Sequence, residues 1–306
     1  MYQLILRRTG RSLLAIIGVS IVAFIAVRMS GDMERFLLPP DAGAEDFARV
    51  RHEYGLDQPL YLQYLFFIAK AVTGDFGTSW RWHDPAWTVV VDRLPATLQL
   101  AAAAALIAFL IAITVGPLSA ARPGSWIDRI GRVFAILGQS MPAFWVGLML
   151  IRIFAVDLRW LPSYGRGDLS NLVMPAISLG WYAAAAQTRL MRSAMLNVLD
   201  SEYIKLARLK GVPEFYVIYK HGLRNAALPV LTLMGVQWAA LLSGSVVIET
   251  IFAWPGVGRT IVEAIFNRDY AVVQAGTFMM SLIFVGANLT VDLLYGVLDP
   301  RIRNAR

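Results

Sequence analysis

The sequence predicts an all-α membrane protein whose helices cross the bilayer several times. Hydrophobic residues make up 57% of the 306 positions, and the mean hydropathy is +0.56. Charged residues make up only 16%, whereas a soluble domain carries roughly 25%. Six segments approach the roughly 20 apolar residues that a helix needs to cross the hydrocarbon core. We therefore expect most of the apolar surface to face lipid.

The six predicted spans lie at residues 13–29, 97–120, 133–155, 172–191, 228–248 and 272–298. The fourth is the least hydrophobic. The first follows Arg7, Arg8 and Arg11, as the apolar run of a signal peptide would, but it ends at Arg28 without a small-residue cleavage site. We therefore predict that it is retained as a span.

Basic residues are unevenly divided between the connections. With the N-terminus inside, the inside connections hold 16 basic and 5 acidic residues, and the outside connections hold 10 basic and 15 acidic residues. Cytoplasmic connections carry the excess of Lys and Arg, so both termini are predicted to be cytoplasmic. The net charge of +7 comes from short clusters beside apolar spans, which favours contact with membrane lipid and argues against nucleic acid as a partner.

The longest outside segment, residues 30–96, predicts two short helices. Its first part, DAGAEDFARVRHEYGLDQPL, is typical of a soluble helix closed by Gly55. Its second part, PLYLQYLFFIAKAVTGDFG, is apolar and aromatic for about 14 residues, which is too short to span. We expect it to lie in the membrane interface or across the outer ends of the spans, where Trp80, Trp82 and Trp87 also fit.

A basic segment, residues 201–229, lies between spans four and five and reads SEYIKLARLKGVPEFYVIYKHGLRNAALP. Ser201 can cap a first short helix, Gly211 can close it in the left-handed conformation, and Pro213 suits the start of a second. Ala207 and Gly211 have the i, i+4 spacing of one helical face and permit close approach, and Glu214 is favourable at the second helix's start. The segment therefore predicts a folded docking element.

The sequence contains no motif for enzymatic chemistry. It has no phosphate-binding loop of the Walker type, no HExxH, no nucleophile elbow and no cysteine. Its three histidines, His52, His83 and His221, are too scattered to predict a metal site by spacing. We expect no cofactor in this chain, so any ATP and Mg that drive it would be bound by partner subunits.

Several motifs resemble the permease subunits of binding-protein-dependent ABC importers. They are YIKLARLKG, HGLRNAALP, IETIFAWPGVGRTIVEAIFNRDYAVVQ and VDLLYGVLDPRIR. Within that superfamily the chain resembles the first permease of the dipeptide, oligopeptide, glutathione and nickel group. The match extends over essentially the whole chain through LRRTGRSLLAIIGVSIVAFIAVRM, GLDQPLYLQY, GDFG, LPATLQLA and SMPAFW.

The resemblance implies a type I importer permease fold with six spans in the bacterial inner membrane. Residues 1–30 would form the N-terminal cytoplasmic end and first span, and 31–95 a periplasmic segment. Residues 96–300 would form a five-span core that includes a coupling segment at 200–225, and 301–306 a cytoplasmic tail. The implied partners are a second homologous permease, two ATPase subunits and a periplasmic substrate-binding protein.

The family's cytoplasmic signature is an EAA tract followed three residues later by glycine. The corresponding positions are Lys205, Leu206, Ala207 and Gly211, of which the last two match. The resemblance implies that this segment forms coupling helices seated in a cleft of the ATPase. The cationic side chains could equally reflect membrane topology and contact with anionic lipid. The candidate coupling residues are Tyr203, Ala207, Arg208, Lys210, Gly211, Val212, Glu214, His221 and Arg224.

The loop between spans five and six predicts a tight turn followed by an amphipathic helix. The resemblance places it at the periplasmic mouth, where it would form a gate or meet the binding protein. A plain turn with interfacial aromatic residues is the alternative. The candidate residues are Trp254, Pro255, Gly256, Arg259, Arg268 and Asp269.

Polar residues inside spans are costly and therefore hint at function. Asp292 is the most prominent, although it may equally pair with a neighbouring helix or cap a helix end. The candidate pathway-lining residues are Gln139, Ser140, Gln237, Glu249, Asn288 and Asp292.

Two other functional classes make different predictions. A secondary transporter or channel would carry ion-coupling carboxylates and often inverted repeats, but Asp292 is the only acidic residue deep in a predicted span and no repeat is evident. An intramembrane enzyme would need a paired nucleophile and base, or metal ligands, and the sequence offers neither. Within the importer group, a peptide is the most frequent cargo, and a nickel chelate, glutathione and opine-like compounds stay open.

Overall fold

A computed structural model describes residues 2–29, 43–53 and 57–298. Within these ranges the secondary structure is helical apart from one isolated antiparallel bridge between Thr78 and Pro85. The chain divides into two compact units. One lies within Met1–Ala96 and Pro255–Leu289, and the other within Thr97–Trp254 and Thr290–Arg306. The domain boundaries expected from the resemblance stay a prediction.

The helices follow in chain order and account for the all-α class predicted from composition. They are α1 (Tyr2–Met29), α2 (Ala44–Glu53), α3 (Leu60–Val72), α4 (Ala86–Ala121), α5 (Trp126–Ser140), α6 (Ala143–Leu150), α7 (Leu169–Leu199), α8 (Glu202–Leu209), α9 (Glu214–Tyr216), α10 (Leu223–Ile251), α11 (Val257–Phe266) and α12 (Tyr270–Leu298). A π-helical stretch, Ile151–Asp157, extends α6, and another, Val217–Gly222, joins α9 to α10.

Four helical stretches in the described part of the chain are long and apolar enough to cross a membrane. They are Ala86–Ala121, Leu169–Leu199, Glu214–Ile251 and Tyr270–Val291, which contain all or most of predicted spans two, four, five and six. The apolar part of α1, Leu13–Met29, and helix α3 are shorter. The count of six spans therefore stays a prediction, as does the place of α3 in the membrane interface. Gly55 lies outside the described residues.

The third predicted span, residues 133–155, is wrong as a single straight helix. Helices α5 and α6 meet at 111°. Pro142 disfavours the helical region for the residue before it, and Met141 adopts φ −94° and ψ 123°, which is extended. Hydropathy alone did not detect this break because both sides of it are apolar. Together α5 and α6 form a fifth candidate span or a re-entrant pair.

The first unit is held together by aromatic rings. Phe24 of α1 contacts Tyr64 edge-on at 5.5 Å, and the Tyr64 hydroxyl shares a 2.8 Å hydrogen bond with Ser20. Phe76 stacks on Trp87 at 5.5 Å and continues the cluster towards α12. Such ring pairs add about 0.5–1.5 kcal/mol beyond area burial, so the predicted short helix α3 is anchored on α1.

The second unit depends on close approach between helices. A Cβ atom on Gly180 of α7 would lie 2.6 Å from the backbone carbonyl oxygen of Ala104 in α4. A Cβ atom on Gly138 of α5 would collide with Ala185 of α7. In a membrane, helices associate through such small residues because burial from lipid supplies little driving force between them. Helix α7 is therefore the centre of this unit.

Candidate functional site

The basic segment begins with helix α8 and turns sharply at Gly211. The Gly211 N–H donates to the carbonyl of Arg208 at 3.0 Å, and the Val212 N–H donates to that of Ala207 at 3.2 Å. Gly211 has φ +76°, the left-handed conformation in which glycine carries no Cβ penalty. This pair of bonds is the Schellman closure of a helix C-terminus. The predicted conformation of Gly211 is confirmed.

Three details of this segment differ from the sequence prediction. Ser201 occupies the N-cap position of α8, but its hydroxyl donates to the Val198 carbonyl instead of capping. Gly211 lies beyond the helix end, so it does not share a helical face with Ala207. The second helix is not separate, because α9 and the π-helical stretch continue into α10 as one helical element from Glu214 to Ile251. Pro213 immediately precedes that element.

An ion pair closes the corner between α8 and α9. Arg208 donates to Glu214 through Nη2 at 2.7 Å and Nε at 3.2 Å. The hydrogen bond to Glu214 raises the pKa of the Arg208 guanidinium above its ordinary value. Both side chains are substantially exposed, so the pair contributes no more than about 1 kcal/mol. Glu214 therefore orders the corner in addition to lying at a helix start.

A second polar contact joins α8 to the following helix. The Asn225 amide donates to the Tyr203 hydroxyl at 2.8 Å, and the Tyr203 hydroxyl lies 3.4 Å from the His221 carbonyl. Arg224 and Lys210 are exposed, whereas Val212 is half-buried. The candidate coupling residues thus surround one folded corner.

The buried side of this corner is an apolar cluster. Ile204 of α8 and Val217 and Ile218 of the π-helical stretch pack in one core with Met191, Met195 and Leu199 of α7. These side chains are buried, with Ile204 and Val217 fully so. The core holds α8 and the start of the next helix against the end of α7. A force on α8 therefore acts on α7 directly.

The opposite side of the corner exposes large apolar side chains that the sequence reasoning missed. Leu209 is 85% exposed. We name these side chains the corner surface; its members are Tyr203, Leu206, Leu209, Phe215 and Tyr216. Apolar residues on both sides of α8 were the available signal, since only one side can face the core. A large exposed apolar patch of this kind is typical of an interaction site.

The loop after α10 also closes with left-handed residues. Ala253 has φ +49° and Arg268, at the end of α11, has φ +56°. The Trp254 N–H donates to the Glu249 carbonyl, and the Asp269 N–H to the Ala264 carbonyl, both at 2.8 Å. The predicted turn and helix are confirmed. Residues other than glycine are strained in this conformation, and strain of this kind is concentrated at functional sites.

Two predicted contact residues of this loop point into the protein. Trp254 is 1% exposed, and Asp269 is buried and accepts a hydrogen bond from the Ser79 hydroxyl. Gly256 is also buried, and Pro255 is half-buried. A direct surface contact through Trp254 or Asp269 is therefore wrong for this conformation, because hydrophobic packing and the hydroxyl partner hold both side chains inside.

The charged side chains of α11 remain accessible. Arg259 donates to Glu263 at 2.8 Å, and Arg81 lies 3.7 Å from the same carboxylate. Arg268 is exposed at the helix end. These arginines are the members of the predicted outer set that could meet another chain.

Most of the polar candidates inside the spans bond to their own helices. Gln139 donates to Ala135 and Ser140 to Ile136, each four residues earlier. Asn288 likewise donates to the Phe284 carbonyl. Such bonds satisfy the polar group without a ligand. The side chain of Asp292 lies outside the described residues.

Glu249 and Gln237 make contacts between helices. Glu249 is fully buried and accepts a 2.7 Å hydrogen bond from Thr97 of α4. Gln237 of α10 accepts a 2.8 Å hydrogen bond from Gln187 of α7, a residue that the sequence reasoning did not select. Both contacts join helices far apart in sequence, so no local pattern revealed them.

The family comparison decides what this arrangement of helices is. Residues 110–304 match the model of the binding-protein-dependent transport system inner membrane component, and residues 1–101 match the N-terminal domain of the same type of membrane component. The chain belongs to this permease family. It is a permease subunit of a binding-protein-dependent ABC importer, a membrane component of a transporter and not an enzyme.

Two relatives cover nearly the whole permease. The glutathione transport system permease protein GsiC of Salmonella choleraesuis strain SC-B67 is 40% identical over 304 residues, which is 99% of each chain. The protein of the same name from Escherichia coli strain K12 is 41% identical over 286 residues, covering 93% of this chain and 94% of the relative. These identities confirm the family resemblance inferred from the motifs.

A solved structure supports the fold of the permease. A crystal structure of an amino acid ABC transporter with histidines superposes with a TM-score of 0.54 at 14% identity. The match covers 69% of this chain and 94% of that one. At this identity the likeness concerns the fold alone. Members of the family work with another permease, ATPase subunits and a substrate-binding protein.

The paired glutamines of the permease give a test of buried polarity. The Gln187 Oε1 and Thr188 Oγ1 atoms are buried and accept or donate no hydrogen bond to any described residue. We expect Gln187→Leu or Gln237→Leu alone to lower stability by about 0.5–2 kcal/mol, because each leaves the other amide without its partner. The double substitution should cost less than the sum of the two. Thermal unfolding in detergent measures this, and strictly additive losses would contradict the pairing.

Proposed function

We propose that this chain and a second homologous permease together enclose the translocation pathway of a bacterial inner-membrane importer. Both termini lie in the cytoplasm, and the basic segment docks in a cleft of an ATPase subunit. Two ATPase subunits bind ATP and Mg and supply the driving motion, since this sequence has no phosphate-binding loop. A periplasmic binding protein delivers the cargo to the opposite side.

One observation carries the docking role: exposed apolar side chains project from a corner whose backbone is fixed. The corner surface stands on the Schellman closure at Gly211 and on the buried core of α8 and α7. Exposed Lys and Arg side chains surround it, and aromatic, leucine and arginine side chains suit a desolvated interface. When ATP binding closes the ATPase dimer, a rigid corner of this kind passes the displacement to the spans, which alternate between outward and inward openings.

We propose a peptide of the size of glutathione as the cargo. The two relatives that align over nearly the full length are both named glutathione transport system permeases. A small polar peptide also suits a pathway walled by helices that hold uncharged buried polar groups such as Gln187 and Gln237. Cargo choice rests mainly with the binding protein, and nickel chelates and opine-like compounds are the competing cargoes within the group.

Reconstitution tests the function directly. The two permeases, the ATPases and the binding protein are placed in proteoliposomes with ATP, and uptake of labelled glutathione, a dipeptide and a nickel chelate is compared. We expect ATP-dependent uptake of glutathione in excess over the others. Uptake by the isolated permease without ATPases would overturn the proposal, and preference for another cargo would overturn the cargo assignment alone.

A matched pair of leucine variants tests the docking surface in the same system. Leu209→Gln removes an apolar side chain from the corner surface, and Leu169→Gln makes the same change at an exposed leucine of α7 outside it. We expect loss of ATPase co-purification for Leu209→Gln only, because a buried apolar anchor supplies much of the energy of an interface. Equal behaviour of the two variants would contradict docking at the corner.

A further inference from the structure

A buried carboxylate lies beside the end of α7 that supports the corner. Asp128 is 1% exposed and lies in the first turn of α5. It accepts hydrogen bonds from the Ser119 hydroxyl at 2.7 Å and the Gly124 N–H at 2.9 Å. Arg192 of α7 donates to both carboxylate oxygens, through Nε at 2.6 Å and Nη2 at 3.1 Å. Arg132 lies farther away, at 3.5 Å.

These bonds join three helices at one point. Ser119 belongs to the last turn of α4, Gly124 to the connection that follows, Asp128 to α5 and Arg192 to α7. The helices also approach closely here. A Cβ atom on Gly116 of α4 would lie 2.5 Å from Met191 Cγ of α7. The two-pronged Arg192 contact therefore fixes the mutual position of α4, α5 and α7.

The same point is continuous with the core of the corner. Met191, adjacent to Arg192, and Ala120, adjacent to Ser119, both belong to the buried cluster that contains Ile204 and Val217. Side chains in direct contact thus run from the Asp128 carboxylate to α8. Packed chains of this kind can carry a displacement between sites when the elements they join have two arrangements.

A buried ion pair needs an explanation other than stability. Removing two charges from water costs several kcal/mol for each ion, and well-packed apolar side chains in their place are often neutral or more stabilising. What the pair provides is geometry, because the guanidinium fork binds a carboxylate in one orientation. Arg192 was counted in the sequence only as one of the inside charges, and its partner is 64 residues away.

We propose that Asp128 and Arg192 are a positioning pair that passes displacement of the corner to the ends of α4 and α5. The inference rests on the proposed docking of the basic segment on an ATPase. With the pair intact, α4, α5 and α7 move together when α8 moves. Without it, α8 and α7 still respond to ATP, but the other two helices do not follow.

The test uses the full complex in proteoliposomes and measures cargo moved per ATP hydrolysed. Arg192→Lys keeps the charge and loses the two-pronged contact, and Asp128→Asn keeps the shape. We expect both to lower the ratio of transport to hydrolysis by about threefold to thirtyfold, the range of coupling effects along such networks, with ATP hydrolysis itself retained. Arg129→Gln is the matched control on α5, since Arg129 is exposed, and its ratio should stay at the wild-type value.

A purely structural role predicts a different pattern. The double variant Asp128→Asn/Arg192→Gln removes both charges, so it avoids the uncompensated buried charge that could block assembly of a single variant. If the pair only stabilises the fold, the double variant will assemble and transport at the wild-type ratio, which would overturn the proposal. We expect it to assemble and remain uncoupled. Failure of the wild-type complex to show ATP-driven uptake would instead refute the proposed function.

Discussion

Replacement of Gly211 by valine is expected to lower ATP hydrolysis coupled to transport about tenfold or more, while the chain still inserts in the membrane. The left-handed conformation costs an L-residue about 1–2 kcal/mol, and a β-branched side chain more, so the Schellman closure opens or shifts. The corner surface then loses its fixed position. The measurement is ATP hydrolysis stimulated by the binding protein, with membrane insertion checked by fractionation.

Asparagine at the same position provides the control. Asparagine tolerates the left-handed region better than other residues, and no atom lies within 4 Å of the place where a Cβ atom on Gly211 would be. We therefore expect Gly211→Asn to retain most of the stimulated hydrolysis. Hydrolysis at the wild-type level in Gly211→Val would show that the corner is not the transmission point. Loss in both variants would place a partner against Gly211 itself.

Replacement of Gly180 by alanine is expected to destabilise the permease by about 1–3 kcal/mol, the usual cost of overpacking. The new Cβ atom would lie 2.6 Å from the carbonyl oxygen of Ala104, and a backbone atom inside a helix cannot move aside alone. Helices α4 and α7 must then separate along their contact. A lower midpoint of thermal unfolding and poorer assembly on size-exclusion chromatography are the expected results.

Gly244 of α10 supplies the matched control for this substitution. A Cβ atom there would meet its nearest neighbour, Leu179 Cδ1, at 3.5 Å, which is an ordinary contact. Since alanine is the better helix former, Gly244→Ala should raise stability by a few tenths of a kcal/mol to about 1 kcal/mol. The two Gly→Ala changes thus have opposite expected signs. An unchanged or raised midpoint for Gly180→Ala would contradict the close packing.

Features set by neighbouring residues were predictable from the sequence. The closure at Gly211 follows from a helix-forming run, a glycine and a proline two residues later, and it appears as predicted. The membrane-length helices follow from apolar length. Pro142 was also present as a signal for the break between α5 and α6, but apolar length was given more weight than the conformational restriction that proline places on Met141.

Contacts between distant residues were not predictable in this way. Asp269 was expected at a surface, and it is turned inwards to Ser79, which is 190 residues away. Gln237 was selected as a lone polar residue, and its partner Gln187 was not. Burial of a polar side chain depends on which helix supplies the matching donor or acceptor, and a single sequence does not state which helices are neighbours.

The sequence by itself determined the all-α membrane class, the permease family and the left-handed corner at Gly211, because hydropathy, motif spacing and turn chemistry are local properties of the chain. Only the tertiary structure decided which side of that corner is exposed and which is packed on α7. It also decided that Arg192, one of many inside charges, reaches the buried Asp128 carboxylate. Those outcomes depend on helix packing at close range, where small residues such as Gly116 and Gly180 set the distances.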